Sequence, residues 1–435
     1  MEDAPETITL PPYLNLPKAN SLLLLKSHVY TTPIVKKLLK KLDENPDTEV
    51  HPAVLAFQQL IETDAALYQD AVDMFRQVPL KYASNPEAGF RPTSYEHMSK
   101  LINAIIRSPP MFEESIFAGC PLASLLDACC GTAAGVNFFR NPKVNSALKD
   151  ILSAWGAYLS SAESLLAFEA EPMGGGWSSP RALAMIDMSQ YVQPDADALG
   201  WGYASWNDWF CRKFKEGKRP VAAEDDDSII TNACESTPVS LQTNVQMKSR
   251  FWLKRQPYSL SFMLNDDELA KEFEDGTVYQ AYLDSCDYHR WHAPVSGTIK
   301  KTVLVPGTYF SEGLWDCGEE EGADFWQGYV SHVATRALIF MEAKNKNIGF
   351  VAVVAVGMGE VSSTVVTVKQ GQTVRKGDEL GHFQFGGSTH CVVFQKEVIA
   401  DWNAAAVPGA SAKRLPLHSW LARARCGGEG SVPVA

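Results

Sequence analysis

From Val54 to Val78, apolar residues recur at helical spacing: Leu55, Phe57, Leu60, Ile61, Leu67, Tyr68, Ala71, Met74 and Phe75. A second stripe (Met98, Leu101, Ile102, Ile105, Ile106) follows Thr93 and Glu96, a pair at capping-box spacing that marks a helix start. Leu148, Ile151, Leu152, Trp155 and Leu159 form a third. The first 170 residues therefore read as mainly helical, and no catalytic constellation lies on these stripes. From about residue 228 the period shortens. The runs SIITNAC, GTIKKTVLVPGTYF, GFVAVVAVGMGEVSSTVVTV and QTVRKGDELGHFQF are β-branched and separated by turn residues, which predicts strands. The Gly/Pro/Ser cluster EPMGGGWSSP at 171–180 lies between the two textures and marks a boundary. Ser205 and Asp208 form a second capping box at the head of SWNDWFCRKF. The expected fold class is α+β: an irregular arm at 1–30, a helical domain at 31–175 and a β-rich domain at 190–425. EGLWDCGEEEGADFWQ at 312–327 interrupts the strands and reads as an acidic, solvated insertion.

Composition narrows the partners. The chain has 435 residues, enough for two domains with sizeable cores, and a net charge of −12. Nucleic-acid binding needs clustered Lys and Arg, so that class is set aside. Docking on anionic lipid favours polybasic segments, and the same negative sign argues against it, a local basic patch aside. The apolar runs SLLLL and FVAVVAV are too short to span a bilayer. The nine cysteines include no C-x-x-C pair, which points to reduced thiols in the cytoplasm. The acidic, Pro-rich start MEDAPETITLPP lacks the character of a signal or transit peptide. A homo-oligomer stays open.

Two short strings carry the candidate chemistry. YHRWHAPVSGTI at 288–299 holds His289 and His292, three apart. A metal site would need a third ligand at recognisable spacing; none is found, so no metal is expected. HFQFGGSTH at 382–390 places Gly386, Gly387, Ser388 and Thr389 after an apolar strand. A turn is the plain reading of that string. These two strings, with SWNDWFCRKFKEGKRPV (205–221), VPGTYF (305–310) and VRKGDELGHFQFGGST (374–389), together resemble the phosphatidylserine decarboxylase family of pyruvoyl enzymes, in that family's order. The N-terminal half, including LSAWGAYLSS and GGWSSPRALAMI, is similar to the soluble fungal L-tryptophan decarboxylase branch.

The resemblance implies that the chain is a zymogen that cuts itself between Gly387 and Ser388. The Ser388 hydroxyl attacks the preceding carbonyl, an N-to-O acyl shift gives an ester, and elimination and hydrolysis leave a covalent pyruvoyl group derived from Ser388. The residue types suit this. A hydroxyl needs an adjacent base to become a nucleophile, and glycine permits the unusual backbone that attack on one's own peptide requires. By resemblance His292 is that base, and His289 serves the decarboxylation step, in which a Schiff base joins the pyruvoyl carbonyl to the substrate amine. The family's orienting acid is an Asp; the matching position here is Glu235, in NACES, a departure from the pattern. Asp225, Asp226 and Asp227 are rivals for that role, although a solvated charge run is the simpler reading. Phe310 and His390 are weaker candidates for substrate contact, each weighed against a place in the core; His382 and Cys391 read as packing.

The implied activity is decarboxylation of an amino acid, with L-tryptophan or another aromatic amino acid suggested by resemblance alone. The β chain would be 1–387, and its partner, the α chain, 388–435. The alternative within the family is a phosphatidylserine decarboxylase making phosphatidylethanolamine, for which a membrane anchor or basic entry surface would be expected. A lipoyl or biotinyl carrier, suggested by VRKGDELG, lacks a Met-Lys pair at its hairpin and leaves both strings unexplained.

Overall fold

The first apolar stripe folds as two helices, α1 (Pro52–Thr63) and α2 (Ala65–Arg76), in a computed structural model of the chain. Asp64 separates them. Its backbone is extended, and its carboxylate accepts from Ala66 N and Leu67 N, capping α2. Leu55 and Tyr68, expected on the apolar face, are exposed. The structure describes residues 49–78, 92–112, 119–169, 176–249, 258–313, 322–360, 363–385, 388–409 and 412–426. The arm at 1–30, Gly386, Gly387 and residues 314–321 of the acidic insertion lie outside the described residues.

α3 (Tyr95–Ile105) starts one residue later than the Thr93 box implies: Ser94 is the cap, accepting from His97 N. α4 (Pro121–Cys130), α5 (Ala133–Arg140) and α6 (Pro142–Leu159) follow. Pro at the first turn of α4 and α6 fits a position whose N–H has no helical partner. The buried faces of these helices meet in one cluster that includes Phe57, Met98, Leu126, Phe138 and Trp155. That cluster continues through Trp177, whose indole N–H donates to Pro110 O at 2.7 Å, so the end of the boundary segment is packed into the core. Ser205 caps α7 (Trp206–Phe210) as expected, accepting from Asp208 N.

The β-rich half begins with β1 (Ile229–Thr231), β2 (Thr237–Val245), β3 (Gly276–Leu283), β4 (Arg290–His292) and β5 (Gly297–Val305). It continues with β6 (Arg336–Ala343), β7 (Phe350–Gly357), β8 (Ser363–Val366), β9 (Thr373–Val374) and β10 (Glu379–Gln384). β11 (Ser388–Phe394), β12 (Ile399–Trp402) and β13 (Trp420–Ala424) complete it. The large sheet has the order β2-β3-β11-β7-β6-β5-β9, and two smaller sheets are β4-β10-β8 and β1-β13-β12. All ladder pairs are antiparallel.

β11 is buried at every residue because it lies inside the large sheet, with both faces covered. Val392 and Phe394 enter one apolar cluster with Tyr279, Leu283, Trp291 and Val353; Cys391 and Val393 enter another with Leu338 and Val354. This is the period-2 alternation of a strand. The two halves of the molecule share a core. Phe210, Tyr288, Phe310, Phe385 and Leu417 pack in the helical cluster, and a Cβ built on Gly156 of α6 would stand 3.0 Å from the Phe385 ring.

Candidate active site

Ser388 and Thr389 are strand residues, Ser388 being the first of β11. Ser388 faces Leu283 of β3 on one side and Gly357 of β7 on the other. Both neighbouring ladders are complete, so the Ser388 backbone is fixed, and its side chain is only 1% exposed. Its Oγ has no hydrogen-bond partner. A buried hydroxyl without a partner is costly, and each such group calls for an explanation. The segment entering the strand is strained as well. Phe385 has φ 72°, a left-handed conformation that bulky side chains avoid.

The two histidines lie on and beside the short strand β4 (Arg290–His292). β4 pairs with β10, and β10 runs into Phe385 and on toward Ser388. His289 O accepts from Phe383 N at 2.9 Å. From the other direction, β3 ends at Leu283, opposite Ser388, and the chain then turns through Asp284–Asp287 to reach His289. Both routes out of the Ser388 ladder therefore lead to this short strand.

His289 is buried. Its Nδ1 lies 3.0 Å from Asp287 O, and a carbonyl only accepts, so the Nδ1 nitrogen carries the proton and Nε2 holds the lone pair. Phe210 stacks on the ring at 4.1 Å. Arg212 holds the loop beneath it. The fully buried guanidinium donates to Cys286 O (2.7 Å) and Asp287 O (3.0 Å) and stacks on Tyr191 and Trp209. Burial pushes the Asp287 carboxyl up to about 7 against the opposing pull of Arg414, whose Nη2 is 2.5 Å from Oδ1.

His292 is oriented differently. Its Nδ1 lies 2.8 Å from Gly377 O and 3.1 Å from His418 Nε2. The His418 Nδ1 lies 2.8 Å from Arg219 O. Assigning the tautomers from this network, His418 Nδ1–H donates to Arg219 O, and His292 Nδ1–H points between Gly377 O and His418 Nε2. The lone pair of His292 then resides on Nε2, with the Tyr288 hydroxyl 3.3 Å away. Burial, and next the neighbouring His418, push His292 down to about 3, so the ring is neutral at physiological pH.

Glu235 does not touch His292, contrary to the expected pairing. Its Oε1 and Oε2 are bound by Arg219 at 2.7 and 2.9 Å, and Oε2 also accepts from Leu417 N at 2.7 Å. The guanidinium of Arg219 pairs with this carboxylate in bidentate geometry, the strong form of a charge-assisted hydrogen bond, and Leu417 N and Arg414 crowd the same oxygens. Asp225, Asp226 and Asp227 also stay away from His292. They lie on the surface, with Asp226 bonding Ser228 and Asp227 pairing with Lys344. Phe310 is buried edge-on to Phe139 of the helical half, 6.4 Å between centroids. His390 lies on β11 with both ring nitrogens buried, and burial pushes it down to about 4 against the opposing pull of the Ala281 backbone. No group of metal-binding side chains occurs among the described residues. Sequence reasoning missed His418, Tyr288, Arg212 and the carbonyl of Gly377. His418 lies far along the chain in LPLHSW and belongs to no motif.

A family model described as phosphatidylserine decarboxylase matches residues 206–410, and a second one, likewise described, matches residues 51–186. Among relatives, a decarboxylase from Amanita muscaria, iboD, is 41% identical over 355 residues, covering 74% of this chain and 99% of its own length. An L-tryptophan decarboxylase from Psilocybe cubensis is 32% identical over 366 residues, covering 79% of this chain and 80% of its own. A phosphatidylserine decarboxylase proenzyme from Fusobacterium nucleatum is 33% identical over 221 residues, covering 49% of this chain and 66% of its own.

Proposed function

Because the chain belongs to the phosphatidylserine decarboxylase family of pyruvoyl-dependent carboxy-lyases, we propose that this decarboxylase matures by cutting itself between Gly387 and Ser388 and then acts on an amino acid. The observation that carries the proposal is Ser388 itself: a buried, unbonded hydroxyl at the first position of the central strand. Its chemistry fits the origin of a pyruvoyl group, since serine supplies the three carbons and an oxygen that can leave. Ser388 Oγ attacks the Gly387 carbonyl carbon as His292 Nε2 takes the hydroxyl proton. The C–N bond breaks when the Ser388 nitrogen receives that proton. Removal of the Ser388 α-proton then expels the Gly387 carboxylate, and addition of water releases ammonia.

A pyruvoyl group at residue 388 supplies the electron sink for loss of carbon dioxide. His289, held by Asp287 O and stacked on Phe210, moves the proton that replaces the lost carboxylate. Phe310 and His390 are the candidates for contact with the substrate side chain. The substrate class rests on the two Psilocybe relatives, L-tryptophan decarboxylases that match this chain over most of its length, and they favour L-tryptophan or another aromatic amino acid. No described helix is long and apolar enough to cross a membrane.

Intact mass under denaturing conditions tests the reaction class. Wild type should give two chains split at 387/388, the smaller blocked at its N-terminus, and Ser388→Ala and His292→Ala should stay whole. His289→Ala should cleave but lose at least about 100-fold in turnover. Amine release from a panel of aromatic amino acids, beside phosphatidylserine vesicles, then assigns the substrate. A folded, uncut wild-type chain would refute the proposal, and turnover of the vesicles alone would replace the amino acid with the phospholipid.

A further inference from the structure

We infer that His418 is a positioning residue for His292, so that the segment released as the α chain supplies the partner that sets the tautomer of the cleavage base. The inference rests on the self-cleavage reading above. Three observations carry it.

First, the contact is specific. His418 Nε2 lies 3.1 Å from His292 Nδ1, the rings are edge-on with centroids 4.7 Å apart, and Gly377 O is the other group at that nitrogen. A serine base needs one ring nitrogen to carry a proton that is held in place, leaving the other free to accept. In the usual arrangement a carboxylate does this. Here a carbonyl and a neutral imidazole do it together, because Glu235 is committed to Arg219.

Second, His418 is itself built in. Its Nδ1–H donates to Arg219 O (2.8 Å), its N–H to Asn232 O (3.1 Å), and its carbonyl accepts from Ala222 N (3.0 Å). The preceding N–H, of Leu417, is held by Glu235 at 2.7 Å. Glu235 thus reaches the base at one remove. It clamps Arg219 and Leu417, which between them fix His418.

Third, the backbone at His418 is left-handed, with φ 65°, a region that glycine enters freely and that asparagine, aspartate and histidine enter more often than other residues. That conformation makes the test clean, because His418→Gly keeps the backbone while removing the imidazole.

The experiment follows self-cleavage of freshly translated full-length chain by intact mass. His418→Gly should cleave about tenfold to a hundredfold more slowly than wild type, a smaller loss than the ~10⁴ of a wrong tautomer in a serine protease triad. Added imidazole should restore the rate of His418→Gly in a saturable way and leave His418→Phe unchanged. Normal cleavage of His418→Gly, or a folded His418→Gly that imidazole does not rescue, would overturn the inference. A direct reading does not depend on any His418 variant folding. In Ser388→Ala, ¹⁵N shifts of His292 should report a proton on Nδ1; a proton on Nε2 alone would overturn it. Wild type that stays uncut, or His292→Ala that cuts normally, would instead remove the self-cleavage reading on which this one stands.

Discussion

His390 shows what a buried titratable side chain costs. Burial, against the opposing pull of the Ala281 backbone, holds the ring neutral with its pKa down at about 4, against 6.5 for an ordinary histidine. The unfolded chain takes up a proton as pH falls below 6.5, whereas the folded one resists until about 4, so stability is lost across that window. Between pH 7.5 and 5 the loss from this residue is about 2 kcal/mol. His390→Val fits the β-branched strand and removes the titration. Urea unfolding midpoints at the two pH values should lie closer together in the variant by that amount. An unchanged gap would mean that the imidazole is satisfied in solution. The histidine pair at 289 and 292 was legible as chemistry because the two stand in one string; their different orienting groups were not, since a backbone carbonyl leaves no trace in the residue type.

At the scale of elements, the loop after β7 joins the helical half to the Ser388 ladder. Glu360 follows Gly357, the ladder partner of Ser388, and its Oε1 accepts from Leu122 N and Ala123 N (2.8 Å to Ala123) at the start of α4. A carboxylate suits a helix N-terminus, yet complete burial outweighs those bonds and pushes Glu360 up to about 7 from 4.5. The sign follows from the raised value. The folded state holds a proton that the unfolded state has already lost, so this group's contribution falls as pH rises through 4.5 to 7 and stays lost above. From pH 6 to 8 the loss is about 1 kcal/mol. Glu360→Gln keeps an acceptor for α4 without the titration, so its thermal midpoint should fall less over that interval than that of wild type. Equal falls would place the titrating group elsewhere. Other element boundaries eluded the pattern for a related reason. The periodicity of α1 runs on into α2, and only the local bonding of Asp64 breaks it.

For the molecule as a whole, the cut would fall in an unusual place. Residues 388–435 contribute β11, inside the large sheet between β3 and β7, and β13, between β1 and β12. Separating the two chains would break three antiparallel ladders (β11 with β3, β11 with β7 and β13 with β1) and expose Val392, Phe394, Leu421 and Ala422, all fully buried. The cleaved chains should therefore co-elute as one species in native size exclusion and part only in denaturant; separate elution without denaturant would contradict the sheet order. The sequence by itself determined the α+β order, the change of period near residue 228, and the strings that hold Ser388, His289 and His292, because periodicity and short motifs are local properties. The tertiary structure decided which groups meet those residues. Glu235 goes to Arg219, and His418 arrives at His292 from 126 residues away. Such pairings are set by the folding of distant segments onto one corner and by competition among partners for each polar atom, and neither is written in the spacing of any one segment.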